Sequence, residues 1–237
     1  MLKVILFDLD GTLLDRDTSI KQVISEQYTK FSLLSKVCKK NYISKFIELD
    51  CRGHARKDKV YQQLVSDLSI DKVSWQDLLN DFEANFIHYC VSFPGVQSTL
   101  DLLKVEGYRL GLITNGREKL QKLKIEKLGI EQYFEVILIS EVEGIKKPDA
   151  EIFNRALKKL EVKAEESVFI GDDPVNDIFG ANNIGMKTIW KRNIYWQEPI
   201  KVDAIVEDIK MLQSTIRHLK IPGSPIFLGD RKKPTQE

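Results

Sequence analysis

The sequence is short of cysteine and of any excess charge, and each shortage excludes a class of protein. Only three of its 237 residues are cysteine, and no two of them form a C-x-x-C pair. An odd and widely spaced set of this kind argues against a disulfide framework. Lysine and arginine number 36 against 35 aspartates and glutamates, so we expect no nucleic-acid partner.

Long apolar runs are also absent. The sequence has no stretch of about eighteen apolar residues, so we expect no membrane-spanning helix. The chain reaches Asp8 after a single lysine and shows no signal-peptide pattern, which favours a cytoplasmic protein. Its composition, 43% hydrophobic and 30% charged, is typical of a soluble globular protein.

The stretch most informative about function lies near the beginning of the chain. Residues 3–7 form a strand-length, largely apolar run, and Asp8, Asp10 and Gly11 follow it. Side chains alternate along an extended chain, so the two carboxylates would project the same way. Like charges at the end of a buried strand favour a nearby cation, either a divalent metal or a substrate group. The alternative interpretation is an ordinary strand-ending turn at Asp10-Gly11.

The rest of the sequence separates into a helical part and an alternating part. Residues 17–92 carry four amphipathic patterns with short links, which predict a helical bundle. From residue 93 to residue 220 helix and strand patterns alternate, which predicts right-handed βαβ units and a parallel sheet. We therefore expect an α/β core of residues 1–16 and 93–220, a helical domain of residues 17–92 inserted after the first strand, and a C-terminal tail of residues 221–237.

Polar residues follow the predicted strands. Besides the first, strands are expected at Arg109–Thr114, Glu135–Ile139, Ser167–Gly171, Lys187–Trp190 and Ala204–Val206, and a helix at Val175–Asn183. Ligands of open parallel sheets bind outside the carboxyl ends of the strands. The polar residues at or after these ends are Asp8, Asp10, Thr114, Asn115, Lys147, Asp172, Asp173 and Asp177. Each could be a cap, a turn or a solvated charge, but their convergence on one edge predicts a functional site.

These motifs resemble those of the haloacid dehalogenase-like hydrolase superfamily, in the phosphatase branch with a helical (C1-type) cap after the first motif. The matching positions are residues 8–12, 114–115, 147–148 and 171–177, and the resemblance extends to about Leu219. It implies a Rossmann-like parallel sheet core with an inserted all-α cap. It also implies a Mg²⁺-dependent phosphatase that works through an aspartyl-phosphate intermediate.

The resemblance further implies roles for the acidic residues. Asp8 would be the nucleophile, and Asp10 would protonate the leaving oxygen and then activate water. Mg²⁺ would be bound by the carboxylates of Asp8 and Asp172 and by the backbone carbonyl of Asp10. Asp177, with Asp173, would orient a lysine or metal-bound water. The family usually has serine at the position of Asp173, which leaves the role of this residue open.

The remaining matching residues would bind the phosphoryl group. By the same resemblance, Thr114 and the Asn115 backbone would hold phosphoryl oxygens, and Lys147 would offset the negative charge gathered there. We expect the partner to be a small phosphorylated metabolite, for example a nucleoside 5′-monophosphate or a sugar phosphate. The chain would act as a monomer or a homodimer.

Asp10 bears on the type of reaction. The dehalogenase branch of the family lacks this second aspartate, so its presence favours phosphate-ester hydrolysis over 2-haloacid dehalogenation. A phosphomutase remains an alternative because the same aspartyl phosphate can be passed to a second hydroxyl. A receiver-like phosphorylated switch is a third alternative, since such domains share a parallel sheet, a phosphorylatable aspartate, a threonine and a lysine.

Residues 50–59 concentrate positive charge around a glycine within the helical part. One interpretation is a solvated loop between helices, as is usual for a charge run. The other is a specificity loop in which Arg52 or Lys57 contacts an anionic part of the substrate. His54 is not expected to bind a metal, because the other two histidines lie far away in sequence.

Overall fold

A six-stranded parallel sheet forms the centre of the structure, a computed structural model that describes residues 1–219. Its strands are β1 Val4–Phe7, β2 Arg109–Thr114, β3 Val136–Ile139, β4 Ser167–Gly171, β5 Lys187–Lys191 and β6 Ala204–Val206. They lie in the order β3-β2-β1-β4-β5-β6, and every pairing is parallel. The predicted α/β class is confirmed. The predicted tail, residues 221–237, lies outside the described residues.

The register places β1 in the middle of the sheet. Phe7 is level with Leu112 of β2 and with Ile170 of β4, so the three strands end close to one another. All four residues of β1 are buried. Burial on both faces explains why this strand is continuously apolar rather than alternating. The chain therefore leaves β1 between two other strand ends, where the carboxylates follow.

Helices connect most of these strands, as is usual between parallel neighbours, and one follows β6. They are α5 Val96–Val105, α6 Glu118–Leu128, α7 Ser140–Glu143, α8 Ala150–Lys159, α9 Gly180–Asn183 and α10 Leu212–Leu219. The apolar face of α8 is buried against the sheet, where the rings of Phe153 and Phe169 pack edge to face at 5.1 Å between centroids. Among residues 1–219, no helix combines the length and the apolar character needed to cross a bilayer.

The segment after β4 differs from its prediction. A single helix at Val175–Asn183 was expected, but a π-helix at Pro174–Phe179 precedes the short α9. The amide of Ile178 donates to the carbonyl of Asp173, five residues earlier, at 3.3 Å. Amphipathic periodicity does not reveal such a widened turn, because it inserts one extra residue into an otherwise helical pattern. Turns of this kind occur often at functional sites.

A second compact unit comprises Asp15–Val91, while the sheet unit consists of Met1–Leu14 and the chain from Ser92 onward. The second unit contains α1 Arg16–Lys30, α2 Lys39–Asp50, α3 Lys57–Asp67 and α4 Trp75–Asn85. Three short 3₁₀ segments lie between or after these helices, at Ser32–Lys36, Cys51–Gly53 and Phe86–Tyr89. The proposal that this unit is a cap stays a prediction.

The interior of the helical unit contains a hydrogen-bonded polar group. The hydroxyls of Tyr42 and Tyr61 donate to Oε1 of Gln27 at 2.8 and 2.9 Å. The Gln27 amide donates in turn to the Leu78 carbonyl at 2.7 Å and to the Asp81 carboxylate at 3.1 Å. All polar atoms of the Gln27 side chain therefore have partners, as buried groups require.

Candidate active site

The central feature of the sheet edge is a lysine between two buried aspartates. Nζ of Lys147 donates to Oδ1 of Asp8 and to Oδ1 of Asp177, each at 2.6 Å. The backbone amide of Asp8 donates to the Ile170 carbonyl at 2.9 Å, which holds Asp8 beside the end of β4. Thr12 donates its hydroxyl to the other oxygen of Asp8 at 3.3 Å. The predicted nucleophile, lysine and Asp177 thus lie together.

Burial dominates the electrostatics of this group. It raises the pKa of Asp8 to about 7, against the lowering effect of Lys147 and with further raising by Asp177 and Asp10. It likewise raises the pKa of Asp177 to about 6, although Lys147 acts in the opposite direction. For Lys147, burial opposes the charged form, but Asp177 and Asp8 outweigh it and raise the pKa. One lysine therefore does not offset the negative charge of the surrounding carboxylates.

A third carboxylate joins the same group. Single oxygens of Asp8, Asp172 and Asp177 all lie within 4.8 Å of one another, and the three residues are buried. Asn193 donates its side-chain amide to Asp172 at 3.0 Å and so orients that carboxylate. Gly11 has a positive φ of 90° and lies against Asp172, where a Cβ atom would clash with the carboxylate. Three buried oxygens around one point, in charge excess over one lysine, fit a hard cation such as Mg²⁺.

Asp10 has different partners from Asp8. Both of its oxygens accept from Nζ of Lys124, at 2.7 and 2.9 Å, and one also accepts from Gln121 at 2.9 Å. Gln121 contacts the predicted phosphate-binding residue Thr114 as well, at 2.5 Å. Sequence reasoning missed Lys124 and Gln121. The available signal was their position on α6, where they share the buried face with Ile125.

Asn115 holds the backbone of Lys147. Its side-chain amide donates to the Lys147 carbonyl, and its carbonyl oxygen accepts from the Lys147 amide, both at 2.9 Å. The peptide bond between Lys147 and Pro148 is cis. The Asn115 side chain thus positions the lysine, while the predicted phosphate contact used only the Asn115 backbone.

Asp173 acts locally at the start of the π-helix. One of its oxygens accepts from the amides of Val175 and Asn176 at 2.8 and 2.9 Å, and the other accepts from the Asn176 side chain at 2.6 Å. Its own amide donates to Asp177 at 3.0 Å. These contacts make Asp173 a helix cap and a backbone support for Asp177.

Comparisons with known proteins identify the family of the chain. A family model described as haloacid dehalogenase-like hydrolase matches residues 5–191. The chain belongs to this family. A glyceraldehyde 3-phosphate phosphatase from Pyrococcus furiosus is 32% identical to this hydrolase over 223 residues, which cover 80% of each chain.

Two solved structures extend the comparison. A HAD phosphatase from Thermococcus onnurineus has a TM-score of 0.64 and 25% identity, and covers 91% of this hydrolase and 98% of its own chain. A 2-haloacid dehalogenase from Pseudomonas syringae has a TM-score of 0.60 and 28% identity, and covers 92% of this hydrolase and 100% of its own chain. The predicted family and the predicted phosphatase class are confirmed.

The two predicted substrate-binding cations of this hydrolase lie in its helical unit. Lys57 and Arg16 both pair with Asp50, the latter at 2.7 Å, and Arg52 pairs with Asp17 at 3.4 Å. Each cation therefore has a carboxylate partner within its own unit. Contact of Arg52 or Lys57 with a substrate stays a prediction.

Proposed function

We propose that this hydrolase is a Mg²⁺-dependent phosphatase that cleaves a small phosphomonoester through a phosphorylated aspartate. The observation that carries the proposal is the buried Asp8 at the end of the central strand, bonded to Lys147 at 2.6 Å and grouped with Asp172 and Asp177. A phosphoryl group placed there meets a nucleophile, a fixed cation and the oxygens that would hold the metal.

The first half of the reaction transfers the phosphoryl group to the protein. An oxygen of Asp8 forms a bond to phosphorus while the bond from phosphorus to the ester oxygen breaks, and Asp10 gives a proton to the departing oxygen. In the second half, Asp10 removes a proton from water, which attacks phosphorus and releases phosphate and free Asp8. When bound by Asp8, Asp172 and the Asp10 carbonyl, Mg²⁺ would offset the charge of the phosphoryl oxygens.

The neighbouring residues would stabilise the charge that accumulates during transfer. Lys147 is buried and fixed by two carboxylates and by Asn115, so its ammonium group needs no rearrangement before the reaction. Thr114 is fully buried at the end of β2 and would donate its hydroxyl to a phosphoryl oxygen. Asp177 would keep Lys147 in place rather than contact the substrate.

Asp10 also separates the proposed reaction from one of the alternatives, 2-haloacid dehalogenation. Halide is a leaving group that needs no acid, so a dehalogenase has no use for a carboxylate at this position. A phosphomutase or a phosphorylated switch would use the same Asp8. These reactions differ from hydrolysis in whether water or another group accepts the phosphoryl group. Hydrolysis is favoured because the Pyrococcus furiosus relative, 32% identical over 223 residues, is named a phosphatase.

The substrate we propose is a small sugar phosphate. The relative that supports this choice is named for glyceraldehyde 3-phosphate, and it aligns with 80% of this chain. A nucleoside 5′-monophosphate is the second candidate. We further propose, as the sequence predicts, that the protein is cytoplasmic and acts as a monomer or a homodimer.

Phosphate release from a panel of sugar phosphates and nucleoside monophosphates tests the proposal, with and without Mg²⁺. We expect Mg²⁺-dependent release concentrated on small sugar phosphates, and none from Asp8→Asn. Strong release from nucleotides alone would replace the proposed substrate class. No release, combined with stable phosphorylation of Asp8 by acetyl phosphate, would support the mutase or switch reaction instead.

A further inference from the structure

Two polar residues occupy the buried face of α6. Gln121 is 1% exposed and Lys124 is 5% exposed, whereas Lys122 points to solvent and pairs with Glu118 at 2.7 Å. Lysine is rarely buried unless it is paired. Helix α6 therefore carries one buried lysine, Lys124, and one exposed lysine, Lys122. The two provide a matched pair for experiment.

The buried lysine holds Asp10 by both of its oxygens. Nζ of Lys124 donates to Oδ1 at 2.7 Å and to Oδ2 at 2.9 Å, and it donates to Oε1 of Gln121 at 2.8 Å. Gln121 donates to Oδ2 of Asp10 at 2.9 Å. Contacts on both oxygens fix the plane of the Asp10 carboxylate as well as its place.

The orientation of the Gln121 amide follows from the chemistry of its partners. An ammonium group only donates, so the Gln121 atom that faces Lys124 must be oxygen, and its nitrogen faces Asp10 and Thr114. Because the amide donates to Thr114 at 2.5 Å, the Thr114 oxygen accepts there and its own proton is directed elsewhere. Gly116, with φ of 153°, leaves room for the Gln121 side chain, which a Cβ atom would approach to 2.9 Å.

We propose that Lys124 and Gln121 are positioning residues that hold the acid–base carboxylate of Asp10 and the phosphate-binding hydroxyl of Thr114 in one network. The inference rests on the proposed function. Asp10 must protonate the leaving oxygen in one half of the reaction and accept a proton from water in the other. Without contacts that hold it, its side chain, with two rotatable bonds, would be spread over several rotamers. The network also directs the hydroxyl proton of Thr114 toward the phosphoryl group.

The test compares Lys124→Met with Lys122→Met on two substrates of one shape, phenyl phosphate and p-nitrophenyl phosphate. p-Nitrophenol is more acidic than phenol, so it leaves with little help from an acid. We expect Lys124→Met to lower kcat for phenyl phosphate by roughly tenfold or more, and for p-nitrophenyl phosphate by about threefold or less. KM should change little for either ester, Lys122→Met should behave as wild type, and Lys124→Arg should recover part of the loss.

Two further measurements separate the possible outcomes. In the Asp10→Asn background Lys124→Met should cause no additional loss, because the lysine acts through Asp10, whereas independent losses that multiply would overturn the proposal. A crystal structure of Lys124→Met should show Asp10 in a new orientation, and an unchanged Asp10 would overturn the proposal whatever the activity. Wild-type protein that releases no phosphate from either ester would count against the proposed function, and the crystal structure would still decide the role of Lys124.

Discussion

Each of the two units buries a cluster of charges, and the two clusters have opposite compositions. The core cluster has three carboxylates and one lysine, whereas the helical cluster has one carboxylate and two cations. The core cluster is Asp8, Asp172, Asp177 and Lys147, and the helical cluster is Arg16, Asp50 and Lys57. Formal charges sum to negative in the first and to positive in the second.

The two clusters shift aspartate pKa values in opposite directions. Burial raises the pKa of Asp8 to about 7. Asp50 is also buried, and burial acts on it in the same direction, but Arg16 and Lys57 outweigh burial and lower its pKa. Burial acts in the same direction on both, and the charged neighbours differ: Asp8 has one cation and further carboxylates beside it, whereas Asp50 has two cations. The core cluster, which has too few cations for its carboxylates, is suited to bind a further cation. The helical cluster, whose carboxylate pairs with two cations, is suited to stabilise the fold.

Replacing the carboxylate that each cluster depends on gives the largest contrast. Asp8→Asn should reduce turnover by roughly 10⁴-fold or more, because the nucleophile is lost. It should leave the free energy of unfolding unchanged or higher, since it removes one of several crowded negative charges. Turnover and urea denaturation measure the two effects, with the exposed Asp101→Asn as the control. A variant that retains near wild-type turnover would show that another residue is the nucleophile.

Asp50→Asn should have the opposite profile. It leaves the buried Arg16 and the half-buried Lys57 without the carboxylate they share, which we expect to lower the free energy of unfolding by about 3–5 kcal/mol. Asp67→Asn, which breaks a surface pair with Lys45, should have a much smaller effect. Hydrogen exchange in α1 and α2 would locate the loss. Equal effects of the two substitutions would contradict a structural role for the helical cluster.

The pH dependence of the free energy of unfolding should also distinguish the two clusters. The pKa of Asp8 is raised from 3.8 to about 7, so the folded metal-free protein binds more protons than the unfolded chain in that window. Its free energy of unfolding should therefore fall, on the order of a few kcal/mol, as pH rises from about 4 to 7. Mg²⁺ should restore stability at neutral pH.

Two variants serve as controls for that slope. Asp8→Asn should reduce the slope, because one of its two titrating groups is gone; Asp177, whose pKa is also raised, accounts for the remainder. Asp50→Asn should leave it unchanged, because the lowered pKa of Asp50 places its titration at more acidic pH. A metal-free protein whose stability rises between about pH 4 and pH 7 would show that the core cluster does not resist ionisation as proposed.

The smallest expected effect concerns the positive charge of the helical unit. Arg52→Ala should raise KM for the best substrate by roughly three- to tenfold while leaving KM for p-nitrophenyl phosphate unchanged. Arg56→Ala, which removes an exposed guanidinium paired with Asp58, is the control. The same change in KM for both esters would mean that Arg52 does not distinguish substrates, and that its pair with Asp17 is structural.

Much of the fold was predictable because its signals are local. The strands Arg109–Thr114, Ser167–Gly171 and Ala204–Val206 have the predicted bounds. Each is a short apolar run between turn residues, and such runs are recognisable without knowing what they pack against. The π-helix was not predictable, since it depends on a bond from Ile178 to Asp173 that leaves the periodicity nearly unchanged.

The residues of the site likewise fall into those that the sequence predicted and those that it did not. Asp8, Lys147 and Asp177 were named from the sequence, and the structure brings them together. Lys124 and Gln121 were missed because lysine and glutamine favour helices and are common on exposed faces, so neither is unusual in α6 until the buried face is known.

The sequence by itself determined the order of strands and helices and which polar residues follow each strand, because both depend on neighbouring residues. Only the tertiary structure decided which cation serves which carboxylate. Lys147 is 139 residues from Asp8 and Lys124 is 114 residues from Asp10. These pairs form because β1 lies between β2 and β4, which brings distant segments to one edge of the sheet. Strand order is a property of the packed chain, and local patterns do not contain it.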